Sequence, residues 1–136
     1  VLFFEELVLE LNILEALPKM REINSKVWIH THCHQKALTD NSVIKQALSL
    51  IRGIDTQIID SGCCGMAGDF GYKHPKLSIK IAKQSLEKEV ANIKSDDILV
   101  ATGTSCRSQF FNVFQNNSIH LSQLFLKTIN NENIKR

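Results

Sequence analysis

Several common functional signatures are missing from this 136-residue sequence. It has no G-x-G-x-x-G or Walker loop and so no nucleotide-binding fingerprint, and no C-x-x-C, which argues against a thioredoxin-type thiol pair. No apolar stretch approaches the roughly 20 residues of a membrane-spanning helix. Apart from Lys135-Arg136 there is no basic block, so the net charge of +2 does not indicate nucleic-acid binding. We therefore expect a cytoplasmic protein, free or peripheral to the inner membrane, without nucleic-acid partners.

The composition is that of one soluble globular domain. A hydrophobic fraction of 43% over this length is enough to bury a core without disulfide bonds. The chain opens with Val1 inside a helical pattern, from which we expect a C-terminal fragment of a larger protein. We predict an N-terminal helix and linker over residues 1–26, a cysteine-rich domain over residues 27–130, and a frayed tail over residues 131–136.

Strand and helix patterns alternate along the chain. β-branched and apolar runs predict strands over residues 27–32, 56–60, 97–102 and 118–121. Apolar periodicity and capping residues predict helices over residues 3–17, 40–51, 75–93 and 107–114, and a last one through residues 124–126. This alternation favours an α/β fold, a Rossmann-like three-layer sandwich with a short parallel sheet of about four strands.

All four cysteines are predicted to lie at one edge of this sheet. Cys33, the Cys63-Cys64 pair and Cys106 follow the first, second and third predicted strands, and the carboxyl ends of parallel strands are where ligands bind. Cys63 and Cys64 cannot easily pair with each other. Their Cα atoms are about 3.8 Å apart, whereas an ordinary disulfide requires about 4.4–6.8 Å. Four free thiolates suit a soft metal centre, either zinc or an iron–sulfur cluster.

Glycines surround the cysteines. The segment 62–71 holds four of the six glycines, and glycine lets backbone N–H groups approach a bound group closely. This favours an iron–sulfur cluster over a zinc ion, because backbone N–H groups near cluster sulfurs tune the reduction potential of the cluster. In addition, the C-x-x-C knuckles typical of structural zinc sites are missing. The predicted cofactor-binding glycines are Gly62, Gly65, Gly68 and Gly103.

Histidines supply further candidate ligands. His30, His32 and His34 would project to the same side if the first strand continued through all three. His32 and His34 flank Cys33, so each is a candidate metal ligand or proton donor. The simpler alternative is that they hydrogen-bond neighbouring backbone. For His120, at the end of the fourth predicted strand, we expect a surface or loop role.

Three segments of the sequence together resemble the cysteine-rich CCG domain. They are HTHCHQKAL over residues 30–38, DSGCCGMAGDFGY over residues 60–72 and ATGTSCR over residues 101–107. Such domains occur in the cysteine-rich component of heterodisulfide reductase and in the iron–sulfur components of glycolate oxidase and lactate oxidation systems. The sequences of these segments are most similar to the C-terminal domain of fused FAD/iron–sulfur D-2-hydroxy-acid dehydrogenases.

The resemblance implies that Cys33, Cys63, Cys64 and Cys106 are metal ligands. The broader family pattern ends in C-x-x-C, which aligns with positions 103 to 106, and Gly103 stands where the first of those cysteines is expected. The cluster type therefore stays open between a four-iron four-sulfur (4Fe-4S) cluster, a histidine-completed centre and zinc.

The function that the resemblance implies is electron transfer within an oxidoreductase. An iron–sulfur cluster in this domain would pass electrons from a FAD-linked oxidase that acts on a D-2-hydroxy acid such as lactate, glycolate or 2-hydroxyglutarate. FAD would lie outside this sequence, in a flavin domain joined to a ferredoxin-like domain, and the domain itself would contain no catalytic residue. Two alternatives remain open: a zinc-stabilised docking module of the same enzyme and, less favoured, a thiol-based catalyst.

Overall fold

A short parallel sheet forms the centre of the fold. The computed structural model describes residues 2–11 and 20–129. Its strands are β1 (Ser25–His30), β2 (Ile54–Ile58) and β3 (Ile98–Ala101), in the order β2-β1-β3. The central strand β1 pairs in parallel with both neighbours, with Ile29 opposite Ile58 and His30 opposite Ala101. All three carboxyl ends therefore meet at one edge.

Helices connect the strands and cover the sheet. The described residues form seven: α1 (Phe4–Glu10), α2 (Cys33–Leu38), α3 (Asn41–Ser49), α4 (Phe70–Lys73), α5 (Pro75–Val90), α6 (Thr104–Phe114) and α7 (Leu121–Ile129). Local chemistry sets two of the starts. The Asp40 side chain accepts a hydrogen bond from the Ser42 N–H ahead of α3. Pro75 occupies the first position of α5, where its missing N–H costs no helical bond. In the part of the chain described here, no helix has the length and hydropathy needed to span a bilayer.

The two faces of the sheet bury separate hydrophobic clusters. Side chains alternate along β1, so that Val27 and Ile29 pack with α1, α3 and α7 on one face. Trp28, Leu99 and Ala101 pack with α5 and α6 on the other. Because each face of the sheet carries a helical layer, the predicted three-layer α/β architecture is confirmed.

The fourth predicted strand is present only as a single bridge. Ile119 pairs in parallel with Val100, donating its N–H to the Leu99 carbonyl and accepting from the Ala101 N–H. The sheet therefore has three strands and this bridge, close to the four that were expected. Residues 118–121 cannot extend further as a strand because α7 already begins at Leu121.

Two boundaries near the cysteines differ from the sequence predictions. β1 ends at His30 and α2 begins at Cys33, so the strand predicted over residues 27–32 ends two residues early. The condition under which His30, His32 and His34 would share one side is therefore not met. A six-residue helix is too short to show apolar periodicity, which is why α2 was not predicted. α6 begins at Thr104 and not at residue 107, which places Cys106 in its first turn.

At the amino-terminal end, α1 falls within the helix predicted over residues 3–17. Its observed end is Glu10, and residues 12–17 of that prediction lie outside the described residues, as does the tail over residues 131–136. The three predicted domain boundaries stay predictions.

Candidate metal centre

The four cysteines converge at the carboxyl-terminal edge of the sheet. Cys33 opens α2 after β1, Cys63 and Cys64 lie in the loop after β2, and Cys106 lies in α6 after β3. All four are free thiols. Cys33, Cys63 and Cys64 all act electrostatically on Cys106, so residues up to 73 positions apart in sequence form one cluster.

Cys64 and Cys106 form the buried half of the cluster. Their exposed fractions are 5% and 1%, and both belong to the hydrophobic cluster on the α5–α6 face. A hydrogen bond from the Cys106 thiol is the largest cause that lowers the pKa of Cys64, and the neighbouring His30 side chain lowers it further. The same bond, together with burial, raises the pKa of Cys106. The two thiols are therefore coupled, and the protonation of each one depends on that of the other.

Cys33 and Cys63 form the outer half. Cys33 is exposed and Cys63 is half-buried. Burial raises the pKa of Cys63, whereas the Gly65 N–H, 3.3 Å from the Cys63 sulfur, lowers it. The cluster thus runs from the hydrophobic core to the surface.

The loop that carries Cys63 and Cys64 is tied to two helices. The Ser85 hydroxyl of α5 donates to the Cys63 carbonyl at 2.8 Å, and the Lys36 ammonium of α2 donates to the Ser61 carbonyl at 2.9 Å. Gly65 has φ +84°, and a Cβ at that position would lie 2.4 Å from the Ser78 carbonyl oxygen. Only glycine allows the loop to approach α5 this closely. In this conformation the Gly65 N–H points at the Cys63 sulfur.

The other predicted cofactor-binding glycines have different surroundings. Gly68 has φ +52°, and no atom of the described residues lies within 4 Å of the place where a Cβ would be. At Gly62 a Cβ would meet Ser85 at an ordinary 3.5 Å, and at Gly103 it would meet His32 at 2.5 Å. Steric restriction therefore applies at Gly65 and Gly103, and the cofactor-binding role of all four stays a prediction.

The structure separates the histidines by burial. His30 is 1% exposed, and its ring packs edge-on against Phe110 at 5.3 Å between centroids. Its buried Nδ1 has no hydrogen-bond partner within the described part of the chain. His32 is half-buried and His34 is exposed. His120 lies in the connection before α7, with Nδ1 2.8 Å from the Ser122 hydroxyl. Sequence reasoning favoured His32 and His34 as ligands, whereas the structure adds His30 as the neighbour of Cys64.

A buried carboxylate near the cluster had no signal in the sequence. Glu5 is 3% exposed and accepts a hydrogen bond from Gln35 of α2, and burial raises the pKa of the Glu5 carboxyl. It lines a cavity of about 240 Å³ that also borders His32 and Gly103. Its burial could not be predicted from the local pattern, because its partner Gln35 lies 30 residues away along the chain.

The donor set can be compared with the two candidate kinds of centre. Among residues 2–11 and 20–129, no three His, Cys, Asp or Glu side chains are gathered as a site for one metal ion. An iron–sulfur cluster makes a different demand, because its thiolate ligands surround the cluster and do not meet at one atom. Four neighbouring thiols and the Gly65 N–H directed at one of them fit such a cluster.

Parts of known dehydrogenases are similar in sequence to this chain. The D-2-hydroxyglutarate dehydrogenase of Pantoea ananatis is 33% identical over 105 residues, which are 75% of this chain and 10% of that protein. The Haemophilus influenzae protein of the same name is 34% identical over 85 residues, 60% of this chain and 8% of its own length. One component of the anaerobic glycerol-3-phosphate dehydrogenase of Escherichia coli K12 is 34% identical over 59 residues, 43% of this chain and 15% of that component.

This chain therefore spans a small part of the curated relatives that it matches. No solved structure matches it at a significant level. The CCG family, described as a cysteine-rich domain, matches residues 27–111, a range that begins in β1 and ends in α6 and contains all four cysteines. Since that range is more than half of the sequence, the chain belongs to the CCG cysteine-rich domain family.

Proposed function

We propose that this chain is an electron-transfer domain that holds an iron–sulfur cluster on Cys33, Cys63, Cys64 and Cys106. The observation that carries the proposal is the convergence of these four free thiols at the carboxyl edge of the sheet. A cluster bound there would accept and release single electrons.

The residues of the site divide the work of holding such a cluster. Cys64 and Cys106 would hold it at the core, where hydrophobic packing excludes water. The Gly65 N–H already points at the Cys63 sulfur and would stabilise negative charge there. Cys33, which is exposed, would hold the side of the cluster nearest the surface, where a redox partner can approach.

We further propose that the parent protein is a FAD-linked dehydrogenase of a D-2-hydroxy acid. The match to D-2-hydroxyglutarate dehydrogenase covers three quarters of this chain, compared with 43% for the match to glycerol-3-phosphate dehydrogenase. In this proposal a flavin domain oxidises the hydroxy acid, and a ferredoxin-like domain and this domain carry the electrons to an acceptor. The protein would be cytoplasmic or peripheral to the inner membrane.

Serine substitutions of the cysteines test the cluster directly. After anaerobic purification, the Cys64→Ser and Cys106→Ser variants should lose most of their iron and acid-labile sulfide, because a serine hydroxyl does not replace a soft thiolate ligand. Ser61→Ala is the matched control in the same loop, since the Ser61 hydroxyl has no hydrogen-bond partner among residues 2–11 and 20–129. Equal iron in the cysteine variants and the control would contradict the proposal.

The role in the enzyme needs a second measurement on the full-length parent protein. With Cys64→Ser, the substrate should still reduce the flavin at the normal rate in stopped-flow absorbance, whereas reoxidation by the acceptor should slow strongly. Unchanged turnover in a Cys64→Ser enzyme that lacks cluster iron would refute electron transfer through this domain.

Gly103 favours one alternative, a zinc-stabilised docking module, because a ligand of the broader pattern is missing there. That alternative predicts stoichiometric zinc, no visible absorption, and a melting temperature that falls on chelation.

A further inference from the structure

The glycine at position 103 is explained by its neighbours and not by its backbone. Gly103 caps the start of α6 with φ −85° and ψ 134°, an extended conformation that any residue adopts. A Cβ at this position would nevertheless lie 2.5 Å from Cδ2 of His32 and 3.0 Å from the sulfur of Cys106. The imidazole of His32 therefore occupies the space that a side chain at position 103 would need.

His32 is held in this position by the backbone around it. Its N–H donates to the Thr102 hydroxyl at 2.9 Å, and its carbonyl accepts from the Lys36 N–H at 2.9 Å as α2 begins. The neighbouring His34 is exposed, and its ring centroid is 6.5 Å from that of His32. Of the two histidines that flank Cys33, only His32 reaches the cleft beside Cys106.

The ring and the sulfur share one small space beside Gly103. Cδ2, the ring atom nearest to that space, is bonded to Nε2, which is a common metal-ligating nitrogen of histidine. The imidazole ring of His32 and the thiol of Cys106 thus border the same point at the edge of the thiol cluster.

We propose that His32 ligates the same metal centre as Cys106 and that Gly103 is glycine because it leaves room for this ring. The inference rests on the proposed function, since it concerns the centre that the cysteines would hold. In this proposal, His32 replaces the cysteine ligand that the broader C-x-x-C pattern has at position 103. Because imidazole is neutral and thiolate is negative, the centre should have a higher reduction potential than one with a further cysteine.

Histidine ligation has a spectroscopic signature that activity does not provide. Protein labelled with ¹⁵N only at histidine, purified anaerobically and poised in its paramagnetic state, should show a strongly coupled nitrogen in pulsed electron paramagnetic resonance. His32→Ala should lose this coupling and part of its iron. His34→Ala, the matched control two residues away, should keep both.

Exchanging the two positions supplies the second test. The double variant His32→Ala/Gly103→Cys removes the ring that would meet the new Cβ and adds a thiolate in its place. It should recover the iron lost in His32→Ala, show no histidine coupling, and have a lower reduction potential than the wild type.

The possible failures are distinguishable. A wild type that holds iron and sulfide but shows no strong histidine coupling, or a His32→Ala variant that keeps it, would overturn the role of His32 and leave the proposed function standing. A wild type without any iron or sulfide would overturn both.

Discussion

Alanine substitutions at the three loop glycines separate backbone strain from steric contact. Gly62 has no positive φ, and its added Cβ would make only an ordinary contact at 3.5 Å. Gly68 has φ +52° in open space, so an added methyl group costs backbone strain alone. Gly65 combines φ +84° with a Cβ position 2.4 Å from the Ser78 carbonyl oxygen. Since that atom belongs to the backbone of α5, the clash cannot be relieved by a rotating side chain.

The expected losses of unfolding free energy follow from these geometries. Gly62→Ala should be neutral or stabilising by up to about 1 kcal/mol, because alanine reduces the entropy of the unfolded chain. Left-handed backbone costs a non-glycine residue about 1–2 kcal/mol, so Gly68→Ala should lose about 1 kcal/mol after the same entropy gain. Gly65→Ala carries the same strain and a close contact of the kind that costs about 1–3 kcal/mol. We expect it to lose about 2–4 kcal/mol in total.

Urea unfolding followed by tryptophan fluorescence measures these differences. Trp28 is the only tryptophan and is 7% exposed, so its emission reports the folded core. Metal-free protein should be used for all variants, because loss of a bound centre during unfolding would violate two-state behaviour. If Gly65→Ala is no less stable than Gly68→Ala, the close packing of the cysteine loop against α5 is refuted.

Three further predictions concern the core, the sheet and the loop. Phe110→Ala should lose about 3–5 kcal/mol of stability in urea, because Phe110 is fully buried. The control is Phe111→Ala at the half-exposed neighbouring residue, which should lose less than about 0.5 kcal/mol of stability. Although burial acts against it, hydrogen bonds from a backbone amide and the Trp28 indole hold the pKa of Asp97 below its ordinary value of 3.8. The ionised carboxylate therefore stabilises the fold above pH 3.8, by less than about 1 kcal/mol for a partly exposed group. The stability gap to Asp97→Asn should close as the pH falls through the lowered pKa, and a gap that widens in acid would contradict this. Ser85→Ala should lose about 1 kcal/mol, because its hydroxyl donates to the cysteine loop; unchanged urea stability would show that this bond contributes nothing.

The sheet and the position of the cysteines were predictable because both follow from local patterns and topology. The β-branched and aromatic residues of β1 and the apolar run of β3 identify strands within a few residues of their observed bounds. Once the strands are parallel, residues that follow them in sequence must meet at one edge. Cys33 and Cys106 are therefore brought together by the fold class alone.

The short elements around the cysteines could not be predicted in the same way. α2 has six residues and α4 has four, which is too few for a helical repeat to be visible. The start of α6 at Thr104 also had no signal, because Gly103 precedes it and offers no capping side chain. The positions of these helices determine which histidine lies beside which cysteine. The structure therefore adds His30, the neighbour of Cys64, to the histidines considered as ligands.

Long-range contacts account for the rest. The burial of Glu5 depends on Gln35, and the steric need for glycine at position 103 depends on His32, 71 positions earlier. Such pairs leave no periodicity in a single sequence. In the sequence, Gly103 shows only that a cysteine of the broader pattern is missing. In the fold, the lack of a side chain at this position leaves room for the His32 ring.

The decisive measurement is the content of iron and acid-labile sulfide in anaerobically purified protein. We expect iron and sulfide in equal amounts, visible absorption, and loss of both iron and sulfide in Cys64→Ser but not in Ser61→Ala. Stoichiometric zinc without sulfide or visible absorption would contradict it.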